Sequence, residues 1–161
     1  GPYHEQIVRV VKAPTYLGLP TTFGDKINQY SVTAVSDAEV CFIDVHVFQN
    51  ILNENREFSN DIIIELCQNE LESFHRCANR TQKQIRGNMA DALLEFSDKI
   101  FMSDTFTIPL TQAELANLVD TSRESVSRVL TEFDKDEIIK IKGKQIEIVN
   151  KKSLKLISQN G

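Results

Sequence analysis

The hydrophobic pattern changes period along the chain. Short alternating stretches come first: Ile7 to Val11, Tyr16 to Leu19, Tyr30 to Val35 and Glu39 to Ile43, separated by Pro14, Pro20, Gly24-Asp25 and Ser36-Asp37. Alternation between turn formers predicts strands. A short helix is expected from Val45 to Leu52, stopped by Asn53-Glu54-Asn55. From about Glu57 to Ile85 the period becomes helical, with no proline or glycine to interrupt it. Ile64, Cys67, Leu71, Phe74, Ala78, Thr81 and Ile85 recur in steps of three and four, a seam of a and d positions. Ile62, Ile63 and Leu66 fall off that seam and are expected to pack against the strands. At 1.5 Å per residue the helix would run about 43 Å, more than one small core covers, which favours a symmetric coiled coil.

A further helix is expected from about Arg86 to Phe101, with Met89, Ala92, Leu93, Phe96 and Ile100 inward and Gly87 as a hinge near its start. Phe106-Thr107-Ile108 reads as a short strand ended by Pro109. Thr111 and Glu114 then have capping-box spacing, and Leu115, Ala116, Leu118 and Val119 supply the buried stripe of the helix it opens. The pattern breaks at Asp120, and Thr121 or Ser122 offers a second N-cap. Val126, Val129, Leu130 and Phe133 follow at i, i+3, i+4 and i+7. Two helices this short do not stand alone, but a tight turn lets each bury the other's stripe, which makes a helix-turn-helix. The polar face of the second helix carries Arg123, Glu124, Ser127 and Arg128. Arginine can donate twice to a guanine edge, glutamate can accept from cytosine, and serine can do either. The plain alternative is that Glu124 and Arg128 form an i, i+4 surface pair.

The C-terminal stretch tilts the choice toward nucleic acid. Ile138, Ile139 and Ile141, then Lys142-Gly143-Lys144, then Ile146, Ile148 and Val149 read as two β-branched strands around a glycine turn. Residues 138–161 hold six lysines, at 140, 142, 144, 151, 152 and 155, against the single acid Glu147, in a chain of net charge −5. Phosphate contacts need such a local excess whatever the overall sign, and the overall sign argues against indiscriminate binding.

The runs Leu-Thr-Gln-Ala-Glu-Leu-Ala from Leu110, Thr-Ser-Arg-Glu-Ser-Val-Ser-Arg-Val-Leu from Thr121 and Ile-Lys-Ile-Lys-Gly-Lys-Gln-Ile-Glu-Ile from Ile139 resemble the winged helix-turn-helix of the Crp/Fnr family of bacterial transcription regulators. The resemblance continues through the whole chain. It implies an α+β fold: a partial antiparallel β-barrel of the cyclic-nucleotide-binding type over residues 1–55, a long dimerisation helix over 56–84 and a winged helix-turn-helix DNA-binding domain over 85–161. Arg123-Glu124-Ser125-Val126-Ser127-Arg128 satisfies both reading patterns of the family, Arg-Glu-x-x-x-Arg and Glu-x-x-Ser-Arg. Glu124 and Arg128 are thereby implied on a TGA-type half-site core, with Arg123 and Ser127 tuning the flanking bases. Phosphate contacts are expected from Thr111, Gln112, Thr121, Ser122, Lys142 and Lys144. The dimer interface is expected along Ile64, Cys67, Leu71, Phe74, Ala78 and Thr81. Asp120 departs from the family, whose turns usually have glycine, but aspartate tolerates the left-handed conformation better than most residues.

By the same resemblance, residues 1–44 are the second half of the effector barrel. The first half is not in the sequence, and half a barrel leaves apolar edges that natural sheets avoid. The chain is therefore expected to be a fragment or part of a longer protein, and Gly1-Pro2 reads equally as a protease scar or as native sequence. The family's cyclic-nucleotide cassette pairs Gly-Glu with a later Arg-Ser-Ala or Arg-Thr-Ala. Here Gly18 is followed by Leu19-Pro20, and the later run is Tyr30-Ser31-Val32. Without the arginine a buried phosphate lacks its charged partner, and without the glutamate the ribose lacks its acceptor. Gly18, Leu19, Tyr30 and Ser31 thus mark a degenerate pocket, and the expected effector is unknown but is not cyclic AMP. Cys41 falls where the oxygen-sensing branch of the family has a cluster ligand, but cysteine also packs as a small hydrophobe, the expectation favoured here.

With 161 residues and 41% apolar content the chain can bury a core in one or two domains. No apolar run approaches the ~18 residues of a membrane span, and no signal peptide is recognised. Cys41, Cys67 and Cys77 show no paired spacing, which fits a reducing cytoplasm, and His4, His46 and His75 show no metal-ligand spacing with them. No cofactor is expected, and the sequence has no nucleophile motif, phosphate loop or metal pair of an enzyme. The leading expectation is a homodimeric regulator on palindromic double-stranded DNA, with RNA polymerase as a further partner. The alternatives are a winged-helix module for protein contact and an iron-sulfur or redox-sensing member of the same family.

Overall fold

The computed structural model describes residues 6–24 and 26–161, the side chains at 80 and 81 excepted. His4, Asp25 and the side chain of Thr81 lie outside the described residues. The chain divides into two compact units, one of Tyr16–Ala78 and the other of the residues before it together with Asn79–Gly161.

The first unit holds α1 (Leu19–Phe23), α2 (Val45–Glu54) and most of α3 (Arg56–Gln82). Asp44 opens α2 by accepting from the backbone N–H groups of His46 and Val47 at 2.9 and 3.1 Å. Asn55 ends α2, and its side chain accepts from the N–H of Phe58 at 3.0 Å in the first turn of α3. Ser59 also donates back to the Leu52 carbonyl, so the α2–α3 corner is held by Ser59 together with Asn55, which reads as a breaker in the sequence. Leu19, Phe48 and Ile62 form the small core, with Tyr16, Leu52, Phe58 and Leu66 packed around it. Phe48 and Phe58 meet edge to face at 5.7 Å, a favoured aromatic geometry. Ile62 and Leu66 therefore turn inward, but against Leu19, Phe48 and their surround rather than the expected strands, whereas Ile63 is exposed. One helix face can serve only one core, and Ile63 lies about 100° around the axis from Ile62.

The strands expected before Val45 are not formed among the described residues. Ile7–Val11, Tyr30–Val35 and Glu39–Ile43 join no ladder, and Leu19 begins a one-turn helix with Pro20 in its first turn. Alternating side chains suit a pleated surface, but alternation does not by itself specify a ladder.

The second unit holds α4 (Ile85–Glu95), which runs into a π-helical turn at Phe96–Ile100, then β1 (Thr105–Thr107), α5 (Gln112–Val119), α6 (Arg123–Lys135), β2 (Ile139–Lys142), β3 (Gln145–Ile148) and α7 (Lys151–Asn160). The sheet is antiparallel in the order β1-β3-β2, with Phe106 and Ile141 both opposite Ile146. Met89, Leu93, Phe96, Leu115, Val126, Phe133, Ile139, Ile146 and Leu154 are the fully buried centre of a core to which every one of these helices and strands contributes. The α+β class stands, with the sheet confined to this unit. Among the described residues no helix is long and apolar enough to cross a membrane.

Helix α7 was not expected. Its signals are present in the sequence all the same: Asn150 caps it by accepting from the N–H of Ser153 at 3.0 Å, and Leu154 and Ile157 are spaced for one face. That face packs on α4. Asp91 of α4 accepts from Ser158 at 2.5 Å and pairs with Lys83 at 2.6 Å. Gly87 is no hinge; it lies within α4, where a Cβ would stand 2.8 Å from the carbonyl oxygen of Gly161, so its role is close approach. At the other end of α7, Lys151 Nζ is 2.5 Å from carboxylate oxygens of both Asp98 and Asp104, and buried Ser97 donates to Asp104 at 2.7 Å. This ties the π-helical turn, the entry to β1 and α7 together.

Leu154→Ala should remove about 2–5 kcal/mol of stability through the cavity left between α7 and α4, measured by urea denaturation. The Lys151 lock should carry a pH signature. Hydrogen bonds from Lys151 and then Ser97 hold the Asp104 carboxyl below its ordinary 3.8, and bonds to Asp104 and then Asp98 raise Lys151 above its ordinary 10.5. The Asp104 contribution is complete above 3.8 and is lost as pH falls through the lower folded value. The Lys151 contribution is complete below 10.5 and is lost as pH rises through the higher folded value. Thermal melts of wild type and Lys151→Met should therefore differ most between these limits and converge on either side.

Candidate nucleic-acid interface

The interface begins with how α5 is started. Thr111 Oγ1 accepts from the N–H of Glu114 at 3.2 Å, and Glu114 Oε2 accepts from the N–H of Thr111 at 2.7 Å, so the capping box is closed in both directions. The Thr111 backbone N–H, then its hydroxyl, holds the Glu114 carboxyl below the usual carboxylate range, with a smaller push from the charge of Lys144.

Helix α5 ends at Asp120 with φ 56° and ψ 55°, the left-handed conformation that the sequence required of a residue other than glycine. Its N–H and that of Thr121 both return to the Ala116 carbonyl, which closes the turn. Ser122, not Thr121, is the N-cap of α6, accepting from the N–H of Ser125 at 3.2 Å. Val126, Val129, Leu130 and Phe133 are all buried, which fixes the rotation of α6 about its own axis. Arg123, Glu124, Ser127 and Arg128 are consequently all exposed on one side.

The surface pair that would make these residues unremarkable is not the arrangement found. Arg128 Nε lies 4.0 Å from Glu132 Oε1, on the C-terminal side rather than toward Glu124. The Glu124 backbone N–H, then the Ser122 hydroxyl, holds the Glu124 carboxyl below the usual carboxylate range. An N-terminal acid is favoured by the helix dipole as well.

The wing is the β2–β3 hairpin, with Lys142 opposite Gln145 and a two-residue loop of Gly143 and Lys144. Gly143 has φ 64°, as the first position of a primed hairpin turn demands. Lys142 and Lys144 are exposed at the tip, and the Lys144 carbonyl accepts from the N–H of Ile108 at 3.0 Å, which anchors the hairpin to β1. Thr111, Gln112 and Ser122 are also exposed and Thr121 half-buried, so the residues expected to meet phosphate lie on the surface of this unit. The six-lysine tail does not act as one charge: Lys151 is spent on Asp98 and Asp104, and Lys140 stands across the ladder from Glu147.

In the other unit, Ile64, Cys67, Leu71 and Phe74 are exposed along α3 and Ala78 is half-buried. The Gly18 N–H donates to the Tyr30 hydroxyl at 3.0 Å, which brings together two of the residues expected at the degenerate pocket. Leu19, however, is core, and Tyr30 and Ser31 are exposed. Cys41 is exposed rather than packed, because the segment around it belongs to neither core. Sequence reasoning missed Glu132 and Arg86, whose link depends on α4 crossing α6, a contact no local spacing encodes.

Comparison with known proteins bears on this geometry. Residues 88–157 match the model of a Crp-like helix-turn-helix domain. The chain is 23% identical over 151 residues to the fumarate and nitrate reduction regulatory protein of Vibrio cholerae, covering 91% of this chain and 60% of that protein. It is 26% identical over 149 residues to the probable transcriptional regulator flp of Lacticaseibacillus casei, covering 91% and 66%. The chain thus spans about three fifths to two thirds of these relatives' length. The structure of FixK2 from Bradyrhizobium japonicum shares the fold with a TM-score of 0.68 at 15% identity, over 71% of this chain and 59% of that one. Residues 88–157 are therefore a Crp-like helix-turn-helix domain, and most of the chain is similar to transcription regulators of that kind.

Proposed function

We propose that the chain is the dimerising and DNA-reading part of a Crp/Fnr-type transcription regulator that binds palindromic promoter sites as a homodimer. The observation that carries the reading is the exposed face of α6, where Arg123, Glu124, Ser127 and Arg128 stand opposite a fully committed apolar face. A helix so held can enter a major groove with donors and acceptors at its first two turns, while Thr111, Gln112, Thr121 and Ser122 and the wing lysines meet phosphates on either side. Dimerisation follows from α3, whose seam of Ile64, Cys67, Leu71 and Phe74 is apolar and exposed. A two-fold axis along it would set two reading helices about 34 Å apart, one turn of duplex. The effector is a small molecule other than cyclic AMP, since Gly18 and Tyr30 satisfy each other and the run from Tyr30 carries no arginine for a phosphate. RNA polymerase in the cytoplasm is the further partner such a regulator would address.

Selection of duplexes from a random pool by the protein, with and without cell extract as effector source, should enrich a palindrome with TGA-type half-sites. Enrichment of no sequence under either condition would count against DNA reading and favour a protein-contact module. On the selected duplex, Glu124→Ala and Arg128→Ala should each lose about 1–3 kcal/mol of discrimination at one half-site position. Lys144→Ala should instead weaken all sequences alike and flatten the salt dependence. Equal losses on matched and scrambled duplexes for Glu124→Ala would remove the base-reading assignment. Phe74→Glu should shift the protein from dimer to monomer in sedimentation equilibrium without altering the melt of the helix-turn-helix unit; an unchanged dimer would exclude α3 as the axis.

A further inference from the structure

Arg128 is tied to the body of its own unit through one carboxylate. Its Nε is 4.0 Å from Glu132 Oε1, and the other oxygen of the same group, Oε2, is 3.3 Å from Arg86 Nη1. Arg86, near the start of α4, also reaches Asp136 through Nη2 at 3.2 Å, and its guanidinium carbon stands 5.3 Å from the centre of the buried Phe133 ring. Two carboxylates and an aromatic face therefore fix Arg86, Arg86 orients Glu132, and Arg128 is the free end of the series. Its side chain is 66% exposed, against 41% for Arg86 and 39% for Glu132.

We propose that Glu132 is a positioning residue for Arg128, its carboxylate shared between the base-reading arginine and Arg86 so that α4 sets where the reader points. The proposal rests on the reading of Arg128 as a base contact. At 4.0 Å the Arg128–Glu132 pair is too long to be a hydrogen bond, so the donors of Arg128 stay available to a guanine edge while its rotamers are restricted by the charge beside it. Restricting them before docking lowers the ordering cost at the interface. Arg86 has a second effect: it neutralises a carboxylate that would otherwise hold Arg128 more tightly and repel the duplex.

The test uses the duplex recovered by selection and single-base variants of it. Glu132→Gln should reduce discrimination at the position read by Arg128 by about two- to tenfold, the range for ordering one long side chain. Its affinity for scrambled duplex should hold or rise, since a negative charge is removed, which a merely destabilised helix would not do. In an Arg128→Ala background Glu132→Gln should cost no further discrimination, because the two act as one unit. Arg86→Met should weaken binding to all duplexes and Arg86→Lys should restore it. In the free protein, relaxation of the Arg128 Nε–Hε signal should report faster side-chain motion in Glu132→Gln. If Arg128→Ala leaves discrimination intact, the base-contact reading fails, and with it the ground of the proposal. If Arg128→Ala relaxes discrimination but Glu132→Gln does not, or Glu132→Gln loses as much without Arg128 as with it, the positioning role is overturned and the base contact stands.

Discussion

The mutual burial of α5 and α6 is the constraint on which the helix-turn-helix unit depends. Neither helix is long enough to hold in water, so each exists because the other covers its stripe. Val126, Val129, Leu130 and Phe133 admit one rotation of α6, and that rotation alone turns Arg123, Glu124, Ser127 and Arg128 outward. The turn between the helices must be short enough to bring the stripes together, which is why Asp120 accepts the left-handed conformation. The rest of the unit is built on this pair: Arg86 stacks on Phe133, and Ile146 between Phe106 and Ile141 seats the wing against the same core.

Charge in this unit is divided between structure and surface. Lys83, Arg86 and Lys151 are committed to carboxylates at 2.5–3.3 Å and clamp α4, α6 and α7. Lys142 and Lys144 stand exposed at the wing tip, and Arg123 and Arg128 on α6. A chain of net charge −5 can thus present a cationic edge, because Asp91, Asp98, Asp104, Glu132 and Asp136 in this unit are set against Lys83, Arg86 and Lys151.

The unit of Tyr16–Ala78 is organised differently. Its core is three buried side chains with an aromatic surround, and large apolar residues such as Phe42 and Phe74 remain exposed, at 99% and 70%. Among the described residues its order comes from helix caps and corners, Asp44, Asn55 and Ser59, rather than from sheet pairing.

The sequence by itself determined the helix-turn-helix, its caps and its wing, because each depends on neighbours within a few positions: Thr111 with Glu114, Asp120 in the turn, the four-residue period of α6, and Gly143 between β-branched runs. It determined α3 to within a few residues for the same reason. Only the tertiary structure decided which of the six C-terminal lysines is locked, that α7 covers α4, that Gly87 is a point of close approach, and that Arg86, Glu132 and Arg128 form one series. Among the described residues it also shows none of the early strands, since alternation describes a surface and does not choose a ladder partner. Local periodicity records how a segment prefers to fold, whereas partners far along the chain are chosen by the way the helices cross.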